Sequence, residues 1–520
     1  MEKKSKKTSN KGETKTAKWQ FWFIDDKGNI KFNNSKFGSA FLGFLGFVQA
    51  KINGIYRLAQ IKNNIIKMVT REDIARDAGE AIQNDMPYNL GEGITREALH
   101  CTFLKGSKNY LDSIRFSGAL PKIDVDFLYD DEHSSYIPFQ NCVLKITAEA
   151  VQELPYNGIS KCIWENQILK RNFTFQSSWE KKSAFEQFVN NVCKKDELRF
   201  TSLKTIIGYL LHRYKNPSKT VCVILMDEKI GDVGDANGGS GKSLVAMGIG
   251  HIRSLVNMPG KTFRMKKNFA LQRVNDSINI ILINDAVSND SFEDYYNIIT
   301  DDIVVEQKHK GEITIPFEHS PKLIITTNFI LRAPDGNSTE RRKVEFEFSD
   351  FYNGIHTPID DFKQNFFYDW SKDEWNFFDN FMVHCLQLYL QKGIVEPPQI
   401  NIKLRRLYSE VGVQLVEFLD EKIKSRVVKF QKKDTYDEFL KENPDQRKYI
   451  SGRNAFTTKL KKYFDYKGIV WKEIPVDTKK YFEIIPPTDN GTAPSPIPQD
   501  DGPAPINPTD VEYNLIKPAA

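Results

Sequence analysis

The sequence holds six cysteines in 520 residues, at positions 101, 142, 162, 193, 222 and 385, and none forms a CxxC pair or joins a histidine at a metal-binding spacing. That scatter excludes a zinc module and a disulfide framework, and it fits a reducing cytosol. The eight histidines make no HExxH or similar array. Long apolar runs are missing as well. The greasiest stretch, "FGSAFLGFLGFVQA" at 37–50, is too short for the roughly 20 apolar residues that span a bilayer, so a buried helix or strand pair is expected there. The opening "MEKKSKKTSNKGETKTAK" is basic and polar and has no signal-peptide core. The expectation is a soluble protein in the cytoplasm of a bacterial host, with no membrane contact. Charge of one sign is not in excess: 73 Lys and Arg against 68 Asp and Glu leave a net charge of +5. Any nucleic-acid contact must therefore come from local basic clusters.

What is present is a globular composition, 40% hydrophobic and 27% charged, with enough chain for three or four domains. The expected fold class is multidomain α/β. A basic arm over 1–18 and a proline-rich acidic tail over 487–520 are expected to be unstructured. Residues 19–135 mix short aromatic strands ("WQFWFID", "GIYRLAQI") with a helix in "TREDIARDAGEAIQN" that Thr70 can cap. This α+β module carries no assignable chemistry. Its "DVD" at 124–126, with His133 after it, looks like a two-acid polymerase metal motif. The chain turns too soon into another strand to bring a third acid alongside, so a solvated turn is expected. A helical lead-in or oligomerisation domain is expected over 136–204, and the chain over 147–215 reads mostly helical. From 205 to 350 strands and helices alternate, which implies a mainly parallel sheet. A Trp/Phe-rich helical segment over 351–403 and a small helical unit with a hairpin over 404–486 complete the chain.

The chemistry concentrates in 205–350. The apolar run "VCVILMD" (221–227) leads into "GDANGGSGKSL" (234–244). A phosphate-binding loop needs a delivering strand, glycines whose amides close on phosphate oxygens, a lysine for the terminal phosphates and a hydroxyl for magnesium. Gly238, Gly239 and Gly241 supply the backbone, Lys242 the charge and Ser243 the hydroxyl, while the helix that follows turns its N-terminus to the anion. Ala236 stands where the first glycine of the pattern belongs; alanine can make that turn if its φ is negative. The second strand, "INIILINDA" (278–286), ends in Asn284-Asp285 rather than two acids. Asparagine can hold a metal-bound water without charge, so Asp285 is the expected acid, with Glu293 and Asp294 as weaker candidates. A third strand, "PKLIITTNF" (321–329), ends at Asn328, and "STERRKVEFEF" (338–348) follows with Arg341 and Arg342 side by side.

The order GGSGKS, IILIND, KLIITTN within about 100 residues resembles the superfamily 3 helicases, which are ring-forming AAA+ ATPases. More narrowly, it resembles the helicase part of the primase-helicases of phages and mobile elements. The resemblance implies an AAA+ P-loop core that binds ATP and Mg2+ through Gly238, Gly239, Ser240, Gly241, Lys242, Ser243 and Leu244. Ser243 and Asp285 would be metal ligands, Asp285 and Asn284 hydrolytic residues and Asn328 the first sensor. Arg341 or Arg342 would be a finger reaching into the next subunit. It also implies a homo-oligomer, a hexameric ring, that moves 3′ to 5′ on single-stranded or forked DNA alongside primase, polymerase or other replication proteins. A hairpin before the first sensor carries DNA-gripping residues in that superfamily, and "KHKG" (308–311) fits its tip, which makes Lys308, His309 and Lys310 candidates. No primase signature is present in the N-terminal third.

In the C-terminal unit, "SGRNAFTTKLKKYFDYKG" (451–468) has Ser451 as a possible cap and Phe456, Leu460 and Phe464 at helical spacing, with Arg453, Lys459, Lys461 and Lys462 on the other face. Two strands with a turn follow in "IVWKEIPVDTKKYFEII" (469–485), the outline of a winged helix whose basic helix would enter a DNA groove. The leading expectation is an ATP-dependent replicative DNA helicase. The alternatives are an initiator or assembly ATPase that uses ATP as a switch without processive unwinding, and a structural DNA-binding protein with a degenerate nucleotide site.

Overall fold

The computed structural model describes residues 20–485 except 53, 87–89, 91–92, 113–117, 177–180, 231–238, 288–289, 309–310, 334–335 and 477–478. The fold is multidomain α/β. Its N-terminal part is a mixed five-stranded sheet in the order Ile163–Trp164, Ile65–Met68, Ile55–Lys62, Phe47–Ile52, Lys122–Asp124, antiparallel in the middle and parallel at both edges. Thr70 caps the helix Arg71–Asn84 in a full capping box with Asp73, satisfying orphan amides at that end. The greasy 37–50 stretch divides into a π-helical turn, Phe37–Leu42, and the strand Phe47–Ile52. Phe21, Phe32, Phe37, Phe41 and Phe47 are buried together there. Asp124 and Asp126 lie at the surface beside Lys51 and Lys161.

The mostly helical reading of 147–215 meets a different structure in its first part. Ser134–Pro138, Val143–Thr147 and Val151–Leu154 form an antiparallel meander, and Ile163–Trp164 joins the N-terminal sheet. Leu144 and Ile146 share one face and join the main core, as a strand period of two requires, while Val143 on the other face packs with Ile159 and Ile163. Helices begin at Ala184–Val192 and continue in α1, Glu197–Leu211.

The central sheet is entirely parallel and has five strands: β1 (Cys222–Asp227), β2 (Leu255–Pro259), β3 (Ile280–Ala286), β4 (Lys322–Thr327) and β5 (Lys343–Phe348), in the order β2-β3-β4-β1-β5. Every residue of β1 and β4 is buried, as expected of parallel strands covered on both faces. Helix α2, Lys242–Gly250, follows β1, and α3, Lys372–Lys392, packs along α1. The chain leaves β1 toward β2 on one side and ends the sheet with β5 on the other. In open α/β sheets that switch marks a crevice at the carboxyl ends of the strands. Between β3 and β4 an antiparallel hairpin, Ile303–Val305 with Ile313–Ile315, stands on buried Ile303, Val305 and Ile315.

The C-terminal unit runs α4 (Ile402–Val411), a helix at Val413–Lys424, a strand at Lys429–Gln431, a helix at Lys432–Glu442, then α5 (Arg453–Tyr466) and the strands Trp471–Val476 and Lys479–Ile484. The three strands form an antiparallel sheet with Lys479–Ile484 in the middle. Phe456, Leu460 and Phe464 are buried as their spacing predicts. Ser451 is not the cap of α5: the helix starts one residue later than that reading requires, with Gly452 at its N-cap, φ 143°, and no side-chain bond.

Candidate nucleotide site

The site lies where β1, β3 and β4 end and α2 begins. Gly241, the N-cap of α2, has φ 100°, and a Cβ there would stand 2.5 Å from the Phe188 ring, so conformation and space both demand glycine. Gly239 also has positive φ, at 103°. Gly238 and Ala236 lie outside the described residues.

Lys242 is buried and its Nζ is held by three groups: Asp227 Oδ1 at 2.5 Å, Asn328 Oδ1 at 2.9 Å and Ser240 Oγ at 3.3 Å. Ser240 Oγ also donates to Asp227 Oδ1, while Asp227 Oδ2 is buried without a partner. The lysine that a phosphate loop aims at its ligand is thus gripped by an acid at the end of β1. Sequence reasoning missed Asp227, although the last letter of "VCVILMD" carries it.

Ser243 Oγ donates to Asn284 Oδ1 at 3.0 Å, and Thr326 Oγ1 donates to the same oxygen at 2.9 Å. The cause is a β-bulge. Ile283 pairs with Ile325 and Ala286 with Thr327, so Asn284 and Asp285 together face one residue, Thr326. Bulges of this kind re-aim side chains near functional sites. Asp285 takes φ 59°, its amide donates to Thr326 Oγ1 at 2.9 Å, and its side chain is exposed. Gly260, after β2, donates its amide to the Asn284 carbonyl, and a Cβ there would meet Ala286 N at 2.6 Å; only glycine lets β2 close on the bulge. Asn284 is therefore the strand-end residue on Ser243. Asp294 is paired with Lys266 at 2.9 Å, and Glu293 is exposed beside it.

Ser243 Oγ and Asn284 Oδ1 form an oxygen-only pair, with the exposed carboxylate of Asp285 next in the chain. It fits a magnesium ion that keeps its waters and takes its remaining ligands from phosphates. Among the described residues no group of three or more His, Cys, Asp or Glu could hold a metal by itself.

The paired arginines differ. Arg342 donates to the Ser338 carbonyl at 2.6 Å and to Ser338 Oγ, and its guanidinium lies 4.7 Å over the Tyr296 ring. Arg341 is exposed and has no side-chain bond among the described residues. Of the hairpin candidates, Lys308 is exposed at the tip; His309 and Lys310 lie outside the described residues. On α5, Lys459 donates to the carbonyls of Glu410 (2.6 Å) and Val411 (3.0 Å), and Lys462 pairs with Glu410 at 2.6 Å. Both thus serve the C-terminal end of α4, where cations suit the helix dipole. Burial, with Lys462 close by, lowers the Lys459 pKa. Lys461 pairs with Glu473 at 3.6 Å. Arg453 is exposed. No helix among the described residues is long and apolar enough to cross a membrane.

Residues 235–342 match a family described as a family of unknown function, DUF5906. No curated protein matches the chain. Among solved structures, an apo form of the NrS-1 C-terminal region is 13% identical, with a TM-score of 0.37 over 86% of this chain and 98% of that one. Another apo structure of the same region is 10% identical, with a TM-score of 0.38 over 86% and 97%. JCV helicase, solved with a thiazolopyridine-bearing acetamide bound, is 14% identical, with a TM-score of 0.24 over 46% of this chain and 61% of that one.

Proposed function

We propose that the protein is an ATP-driven DNA helicase of the superfamily 3, AAA+ type, working as a hexameric ring in the replication of a phage or mobile element. One observation carries this reading. Lys242 with Asn328 and Ser243 with Asn284 form two hydrogen-bonded pairs, drawn from the start of a helix and the ends of two parallel strands, side by side at a helix N-terminus. ATP phosphates would displace Asp227 from Lys242 and take the amides of the loop. Bound magnesium would supply charge neutralisation on the phosphate oxygens. Asn328 would orient the attacking water, and Asp285 would accept its proton from the exposed side of the site. The exposed Arg341, rather than the Ser338-bound Arg342, is the finger offered to a neighbouring subunit. Lys308 on the hairpin, with His309 and Lys310, would grip one DNA strand. The C-terminal unit, read as a winged helix, would add a duplex contact through Arg453, while Lys459 and Lys462 hold α4.

The second reading is an initiator or assembly ATPase that switches on ATP without processive unwinding. It is favoured by Asn284, an uncharged residue, in contact with Ser243. Fork unwinding and DNA-stimulated hydrolysis by the wild type, Lys242→Ala and Lys308→Ala/Lys310→Ala separate the two. A helicase loses both activities with the first variant; with the hairpin variant it keeps basal hydrolysis and loses unwinding. Hydrolysis without unwinding on forks of either polarity is the switch result.

A further inference from the structure

Helix α4 opens the C-terminal unit, yet its Arg405 is buried in the wall of the nucleotide site. Nη1 donates to the Asn328 carbonyl at 2.8 Å. Nη2 donates to the carbonyl of Asp227 and, at 3.2 Å, to that of Lys229, while Nε is buried without a partner. Asp227 and Asn328 are the two residues whose side chains hold Lys242 most closely. A single guanidinium from another unit thus fixes the backbone of both. Burial lowers the Arg405 pKa, and the carbonyl acceptors are what make so deep a placement tolerable.

Other tethers of α4 run to β5. Glu347 on β5 accepts the amides of Ile400 at 2.7 Å and Asn401 at 3.0 Å, and Arg406 pairs with Glu345, also on β5, at 2.8 Å. These contacts dock the helix on a strand that contributes no residue to the Lys242 set. Asn401 Nδ2 also donates to the Glu228 carbonyl at 2.9 Å, one residue past β1, but of these side chains Arg405 reaches the ends of both β1 and β4.

We propose that Arg405 is a positioning residue of the nucleotide site. It holds Asp227 and Asn328 in register around Lys242, and through α4 it makes that register depend on where the C-terminal unit sits. DNA engaged by that unit then acts on hydrolysis by moving the ends of β1 and β4 together. The proposal rests on the ATP-site reading above.

The test uses the full chain and compares wild type, Arg405→Ala, Arg405→Lys and Glu347→Gln for ATP binding, kcat, KM and the ratio of hydrolysis with and without single-stranded DNA. The expected result for Arg405→Ala is a kcat lower by about 10-fold, KM within about 2-fold of wild type and loss of DNA stimulation, the pattern of a misplaced transition-state group. Arg405→Lys, which can keep one carbonyl contact, restores part of the stimulation, and it carries the test if the alanine variant fails to fold. Glu347→Gln lowers Tm and keeps the stimulation ratio. A folded Arg405 variant with wild-type kcat and stimulation overturns the inference. So does a Glu347 variant that loses stimulation equally, because docking alone would then be the cause. Wild type that binds no ATP overturns the nucleotide-site reading itself, and the inference with it.

Discussion

The polar groups of the nucleotide site face one another, whereas three candidate contact residues elsewhere face outward. Lys242 has Asp227, Ser240 and Asn328, and Ser243 has Asn284. Lys308, Arg341 and Arg453 are exposed and have no side-chain partner among the described residues. Buried polar groups that satisfy one another fix a single geometry. Exposed charges contribute little to the stability of their own chain. The buried group around Lys242 is thus organised before any ligand arrives, and the outward set is available to a second molecule.

The contrast breaks most visibly at the two arginines. Arg341→Ala should lower hydrolysis by the assembled protein by roughly 1000-fold, as loss of an arginine finger does, and leave Tm unchanged. Arg342→Ala should lower Tm instead, because it empties the contacts to Ser338 and Tyr296. Steady-state hydrolysis and thermal melts of both variants check this; the opposite pattern would exchange their roles.

A sharper inward test is Asn328→Ala. It should reduce kcat by about 100-fold, the scale for removing one preorganised polar group, with DNA affinity measured by fluorescence anisotropy unchanged. The matching outward test is Lys308→Ala. Its slope of log affinity against log salt for single-stranded DNA should shrink by ~0.7, with ATP affinity unchanged. An effect of Lys308 on ATP binding would erase the distinction between the two sets.

The smallest effect concerns pH. Burial pushes His212 and His251 down to about 4, against roughly 6.5 in an unfolded chain. The folded protein therefore binds fewer protons between those values. Its stability is full above about pH 6.5 and is lost as pH falls toward 4, by on the order of 1 kcal/mol at pH 5 for the buried His212 and by less for the half-buried His251. Thermal melts at pH 7.5 and 5.0 read this directly, and equal Tm values would refute it.

Much of this arrangement is legible in the residues. The buried runs "CVILMD" and "KLIITT" read as parallel strands because they are apolar on both faces, and the alternation in "EITIPF" announces the hairpin. The bulge at Asn284–Asp285 is not legible, because it arises from pairing with Thr326 across 41 residues. Asp227 and Arg405 escape notice for a similar reason: one looks like a strand-end acid and the other like one of two adjacent surface arginines. Only the fold sets the Asp227 carboxylate on Lys242 and, through the packing of α4, the Arg405 guanidinium on the carbonyls of Asp227 and Asn328. The strands Val151–Leu154 and Ile163–Trp164 are hidden by their brevity, and the second also by a partner nearly 100 residues away in the N-terminal sheet.

The central claim is that the Lys242 set binds and hydrolyses ATP in service of DNA. Hydrolysis by the wild type and Lys242→Ala, with and without single-stranded DNA, tests it most directly. The account predicts hydrolysis that rises with DNA in the wild type and is abolished in both conditions by the substitution. Wild-type protein that hydrolyses no ATP, or a Lys242→Ala variant as active as wild type, would contradict it.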